Sequence, residues 1–472
     1  MSTAAQGASA PTPAAGAADR TAVVAARLER LPASRWQVTV RLLIGAVTFF
    51  EAFDQLLTAY TLPDLRAAWH LGGDGATALI TIGSIGMLVG ALCSGRLADR
   101  FGRVRIVFVC LLVSGLGNLA LAACGGPVPF QIVRFVQGMA IGGQVPVAAA
   151  YIAEITRSHG RGRFVLLYEL VFPAGLTVGS FVAAWVIPAW GWRGLYLLAA
   201  VPLVLAIPVA RYVPESPRWL AGRGRADDAE RTMADIERKV TALTGRPLPE
   251  PQVREISPEA ATAGARRLGF AALFQGRLRR RTLVVCALWF LGYFAQYGVS
   301  TWLPTIYQTG YHLPKSQALN YATMTSLAGF VGCLVAALTV DRIGRRWVTA
   351  AGLFLGGLTL LVLALTGSDS ADQVVLWTSI AMVFNFACNI SLYVYTPELY
   401  PTGARALGTS VGGAANRIGV ILGPLIVGLV YTGGTGTAGV FALLGCAALL
   451  GSVVSGVFAE ETTGRTLEEA SA

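Results

Sequence analysis

Charged residues capable of chemistry stand inside stretches that otherwise carry almost no charge. Glu51 and Asp54 fall within the apolar stretch 38–62, Arg134 separates the uncharged runs 106–133 and 135–153, and Arg417 immediately precedes the uncharged run 418–459. A carboxylate near an arginine stays ionised until the arginine finds another partner or the carboxylate takes a proton, which is the chemistry of proton coupling. That assigns Asp54, Glu51 and Arg134 to proton coupling; a static buried ion pair is the competing reading. Arg417 has no acidic neighbour on its own helix, and an anionic substrate would supply the missing charge. Tyr293, Gln296 and Tyr297 cluster in one stretch, while Asn385, Asn389 and Tyr393 recur every four residues in another. Aromatic faces with a few amide donors suit a flat carboxylated ring, and they also suit helix packing. Glu169 joins the candidate substrate lining, although near the inner end of its stretch it is also within reach of the interface.

These residues need elements that hold them in an apolar medium. Of 472 residues, 54% are hydrophobic and 13% charged, against roughly 25% charged in soluble domains. About 20 apolar residues cross the ~30 Å hydrocarbon layer as a helix. Dividing the apolar runs at turn-forming residues gives twelve spans: 38–62, 76–95, 105–124, 128–153, 164–188, 193–211, 282–304, 317–340, 347–366, 373–396, 407–431 and 437–458. At 1.5 Å per residue, Asp54 lies about 12 Å and Arg134 about 9 Å from the outer ends of their spans. Similar depths allow them to pair.

The expected organisation is a flexible cytoplasmic tail over 1–35, six-helix bundles over 36–212 and 282–459, a cytoplasmic linker with short helices over 213–281, and a cytoplasmic tail over 460–472. Residues 211–281 hold 15 of the 37 Lys and Arg residues against 9 acidic ones. Basic residues gather in cytoplasmic loops, so the formal charge of +11 reflects topology and not nucleic-acid binding. Both termini are then cytoplasmic in an inner-membrane protein, with Arg41 an interfacial anchor. Seven cysteines lie in apolar stretches without a CxxC pair, and three histidines lie between spans. No metal, cofactor or membrane-enzyme constellation is expected.

The halves repeat one another. Asp99-Arg100-Phe101-Gly102-Arg103 returns as Asp341-Arg342-Ile343-Gly344-Arg345, Glu154 and Arg161 return as Glu398 and Arg405, and Pro214-Glu215-Ser216-Pro217 is echoed by Glu460-Glu461-Thr462-Thr463. Asp54 has no counterpart, since Ala295 or Gln296 occupies the equivalent place.

Gly95-Arg96-Leu97-Ala98-Asp99-Arg100-Phe101-Gly102-Arg103 resembles the signature loop of the major facilitator superfamily. The resemblance covers roughly 36–465 and implies an all-α membrane protein of twelve transmembrane helices in two pseudo-symmetric six-helix bundles, alternating access and action as a monomer. Gly95, Asp99, Arg100, Gly102, Arg103, Glu154, Arg161, Asp341, Arg342, Arg345, Glu398 and Arg405 would then latch the bundles on the cytoplasmic side. Arg134 with Gly138 and Gly142, and Pro214-Glu215-Ser216-Pro217, resemble sugar-porter motifs. Glu51-Ala52-Phe53-Asp54 is similar to the Asp-Gly-x-Asp motif of aromatic acid:proton symporters, with Glu and Ala replacing its first Asp and Gly. Arg134 and Arg417 also fall where that family and nicotinate-type carriers place functional arginines. The expected activity is proton-coupled uptake of a small organic anion, an aromatic or heteroaromatic carboxylate, with substrate, proton and lipid bilayer as partners. A sugar or polyol porter and a non-transporting sensor are the alternatives.

Overall fold

The computed structural model describes residues 23–24, 26–32, 34–155, 169–245, 247–251, 270–366 and 369–462. Regular structure among them is helical throughout: α1 Arg35–Gln55, α2 Leu57–Trp69, α3 Gly73–Phe101, α4 Arg103–Ala123, α5 Pro127–Ile155, α6 Val171–Leu198, α7 Pro202–Tyr212, α8 Pro217–Gly222, α9 Ala226–Thr244, α10 Gly276–Thr309, α11 Lys315–Ile343, α12 Arg345–Thr366, α13 Ala371–Glu398, α14 Thr402–Val430 and α15 Gly436–Val453. Ten stretches among the described residues are long and apolar enough to cross a membrane. Two of them, Val171–Tyr212 and Leu407–Phe458, run to 42 and 52 residues, far beyond one crossing. Each is broken at a left-handed glycine, Gly191 with φ 70° and Gly434 with φ 92°, where a side chain would be strained.

Helices α1–α7 and α10–α15 form two halves joined by α8 and α9. Small residues set their spacing. A Cβ on Gly90 would lie 1.9 Å from the Met139 carbonyl oxygen, and one on Gly142 would lie 2.1 Å from that of Met87. The backbones of α3 and α5 therefore touch, a packing that only glycine permits.

The halves meet through α3 with α14, α6 with α11, and α2 with α10. On the face opposite the linker, Lys315 Nζ pairs with Asp64 Oδ1 at 2.5 Å across the halves. Nearby, the would-be Cβ of Gly73 falls 2.6 Å from Thr432 Cγ2. At mid-depth the Thr177 hydroxyl donates to the Ser326 carbonyl at 3.2 Å. The molecule is thus closed on the face away from the linker.

Two boundaries differ from the expected ones. The second half begins at Gly276 instead of 282, because the arginine-rich turn continues the helix beyond its apolar part. The N-terminal segment expected to be flexible is helical in its described part near the first span, and it is docked. Val24, Leu28 and Leu31 pack in one cluster with Met233, Ile236 and Val240 of α9. Arg27 adds bonds to Glu237 at 2.7 Å and Glu230 at 2.6 Å.

Candidate functional site

Asp54 is the next-to-last residue of α1, two residues before the break at Leu56, and its side chain turns into the first half. Asp54 is 1% exposed and Arg134 2%. Arg134 Nη1 donates to Asp54 Oδ1 at 3.0 Å and Nη2 to the Asp54 carbonyl at 3.2 Å. Asp54 Oδ2 accepts from Asn118 Nδ2 at 2.8 Å, Gln137 Nε2 at 2.9 Å and Ser114 Oγ at 3.3 Å. Gln137 Oε1 accepts from Arg134 at 2.7 Å, which closes the network. Gly83 makes room for it, since a Cβ there would lie 3.0 Å from Arg134 Nε.

Ser114, Asn118 and Gln137 were not singled out from the sequence. Their signal was present: Ser114 and Asn118 are one turn apart in an uncharged run, and Gln137 lies three residues after Arg134.

Glu51, one turn from Asp54, is 3% exposed, and neither of its carboxylate oxygens accepts a hydrogen bond among the described residues. Its electrostatic neighbours are Arg417, Asp54 and Glu169. Arg417, on α14 of the other half, also acts on the Tyr297 and Tyr393 phenols. Glu51 and Arg417 therefore bring opposite charges from the two halves toward the same interior.

The second half supplies the aromatic wall. Trp289, Tyr293 and Tyr297 stack along one face of α10, with centroids 5.5 and 6.1 Å apart at interplanar angles of 18° and 16°. Trp289, absent from the sequence reading, extends the four-residue spacing by one turn and meets Tyr393 edge-on at 4.8 Å. The Tyr293 hydroxyl donates to that of Tyr393 at 3.3 Å. Asn389 Nδ2 donates to Gln296 Oε1 at 2.5 Å and Asn385 Oδ1 at 3.0 Å, and Asn389 Oδ1 is buried without a donor among the described residues.

Glu169, Tyr293, Gln296, Asn389 and Tyr393 line one cavity of about 30 Å³ between the halves, room for a water or two. Glu169 thus faces the interior. Asn385 stands behind Asn389. Arg134 and Tyr297 share a second cavity of about 20 Å³ at the junction of α2, α3, α5, α10 and α14.

The glycine turns at the linker face repeat almost atom for atom. Gly102 has φ 111° and Gly344 φ 104°. Glu215 Oε1 accepts the Arg103 amide at 2.9 Å, as Glu461 Oε1 accepts the Arg345 amide at 3.1 Å. Arg103 reaches Asp99 at 2.5 Å and Glu154 at 3.3 Å, while Arg345 meets Glu398 at 3.2 Å. These bonds stay within each half, so in this conformation they brace each bundle separately instead of latching the two together.

Arg405 Nε donates to the Pro397 carbonyl at 3.0 Å, and Glu398 takes Arg345 and the Thr462 hydroxyl. Arg100 lies over the Phe101 ring at 5.4 Å, and Arg342 and Gly95 are exposed. Arg161 and the Asp341 side chain lie outside the described residues.

A family model described as sugar (and other) transporter matches residues 70–472. The chain belongs to this transporter family. The niacin transporter NiaP of Acinetobacter baylyi is 33% identical over 443 residues, covering 94% of this chain and 98% of its own. The gallate transporter of Pseudomonas putida is 29% identical, covering 89% and 91%. The 4-hydroxybenzoate transporter PcaK of Pseudomonas putida is 28% identical, covering 84% and 86%. Among solved structures, the proton:xylose symporter XylE superposes with a TM-score of 0.69 at 20% identity, over 92% of this chain and 98% of that one. The fold is that of the major facilitator superfamily, and this family member is a multi-pass membrane transporter and not an enzyme.

Proposed function

We propose that this transporter couples proton entry to uptake of a small aromatic or heteroaromatic carboxylate across the inner membrane. The observation that carries the reading is the division of labour between the halves. One holds buried carboxyls and Arg134, and the other presents stacked rings, amides and Arg417 to the same interior. The niacin, gallate and 4-hydroxybenzoate carriers among its relatives support that substrate class.

In this mechanism the substrate carboxylate binds Arg417 by charge-assisted hydrogen bonds, and its ring lies against Tyr293, Tyr297 and Tyr393. Asp54 stays an anion held by Arg134 and three neutral donors. Glu51 has no donor among the described residues to stabilise its charge, so a proton neutralises it when the site closes. Opening to the cytoplasm rehydrates the carboxyl and releases both. Both termini and the linker are cytoplasmic in this reading, with twelve crossings once the two over-long stretches are divided at their glycines.

Proteoliposomes carrying the purified protein test it. Nicotinate, gallate and 4-hydroxybenzoate are supplied outside under an inward proton gradient, with xylose as the control. Accumulation of an aromatic acid that collapses when the gradient is dissipated is expected. Accumulation of xylose alone, or accumulation indifferent to the gradient, overturns it.

A further inference from the structure

The linker end of α10 carries four arginines with two different fates. Arg277 and Arg281 both pair with Glu460, at 3.2 and 2.7 Å. Arg279 and Arg280 meet no acidic side chain among the described residues, and the Arg280 guanidinium lies 5.9 Å from the Phe458 ring centroid. Both stand at a groove of about 660 Å³ between α10 and the segment after α15, whose walls include Leu283, Val284, Val457 and Phe458. Leu283 is 51% exposed and Val457 60%. The groove belongs to the outer surface of the second half, away from the substrate cavity.

We propose that this groove binds an anionic phospholipid of the leaflet on the linker side, which is cytoplasmic in the orientation proposed above. Two guanidiniums that meet no acidic side chain among the described residues sit where the helix leaves its apolar part, the level of lipid phosphates. The apolar walls below them accept acyl chain, and the volume matches that of a ligand site. Basic pockets between spans at that leaflet recognise anionic head groups. The phosphate bridges Arg279 and Arg280, and the chains run along Leu283 and Val457.

The test uses the full chain purified in detergent, with unfolding temperature followed during titration with phosphatidylglycerol, phosphatidylcholine of the same acyl chains, or soluble glycerol 3-phosphate. Phosphatidylglycerol is expected to raise the unfolding temperature above the phosphatidylcholine value, and glycerol 3-phosphate to leave it unchanged. Arg279→Gln with Arg280→Gln is expected to abolish the difference, each arginine contributing about fivefold in affinity. Leu283→Trp, which narrows the groove and keeps both charges, is expected to weaken phosphatidylglycerol binding and keeps the test decisive should the arginine variant misfold. Equal stabilisation by the two lipids, an equal effect of glycerol 3-phosphate, or an undiminished preference in either folded variant overturns the site.

Discussion

Asp54 and Arg134 meet at 3.0 Å with both side chains almost wholly buried, and the second Asp54 oxygen takes three further hydrogen bonds. Removing one partner of such a pair strands the other charge, at a cost of about 3–5 kcal/mol. Asp54→Asn is therefore expected to lower the unfolding temperature and abolish gradient-driven uptake. Asp54→Asn with Arg134→Gln regains stability without regaining uptake. Thermal unfolding and proteoliposome transport on the same preparations separate the two effects. A double variant as unstable as the single one would show that the pair is not the source of the loss.

Composition made the membrane class legible, and depth counting brought Asp54 and Arg134 to one level, because helical rise is uniform. The neutral donors around them were harder to read. A serine, an asparagine and a glutamine in apolar helices carry no mark of the direction in which they point. The same uncertainty concealed the partner of Arg345. The turn at Gly344, with φ 104°, directs Arg345 onto the Glu398 carboxylate. The echo of Glu215 by Glu461 was visible as a repeat, yet its role as an amide acceptor depends on backbone direction that only the fold supplies.

Arg417 offers a guanidinium to the interior, opposite a Glu51 carboxyl with no donors among the described residues. A charge-assisted hydrogen bond contributes about 1.5–3 kcal/mol. Arg417→Ala should raise the apparent KM for an aromatic acid by about 10- to 100-fold, with Arg417→Lys intermediate because it keeps charge and loses the fork. Uptake kinetics at saturating proton gradient measure this. An unchanged KM would remove Arg417 from the substrate contacts.

Gly292 lies where a Cβ would stand 2.3 Å from Asn389 Oδ1. Asn389 is held by Gln296 and Asn385, so it cannot swing away without breaking those bonds. Gly292→Ala should therefore weaken substrate binding with no change in charge, and Gly292→Ala with Asn389→Ala should show no further loss beyond Asn389→Ala alone. Ligand-induced shifts in unfolding temperature follow the series.

The glycines at the linker face are not equivalent. Gly102 has φ 111° and a would-be Cβ 2.3 Å from Glu215 Oε2, whereas a Cβ on Gly95 meets nothing within 4 Å. Left-handed strain on a non-glycine residue costs about 1–3 kcal/mol. Gly102→Ala and Gly344→Ala should each destabilise the protein and slow uptake, while Gly95→Ala should match the parent in both. A slow Gly95→Ala variant with normal stability would place that residue in the moving interface.

The docked N-terminal helix gives a pH dependence that is separate from transport. Burial works against the Glu237 carboxylate, but hydrogen bonds and charge from Arg27 and Arg30 outweigh it and hold its carboxyl below the usual carboxylate range. A depressed carboxyl stabilises the folded contact above its unfolded value, about pH 4, and loses that contribution as pH falls through the lower folded value. Residues 26–31 should thus resist backbone hydrogen exchange at pH 7 and lose protection below about pH 4. In Glu237→Gln the protection should already be weaker at pH 7, since the neutral amide cannot hold both arginines. Protection in that variant equal to the parent at pH 7 would mean that the apolar contacts of Val24, Leu28 and Leu31 dock the helix unaided.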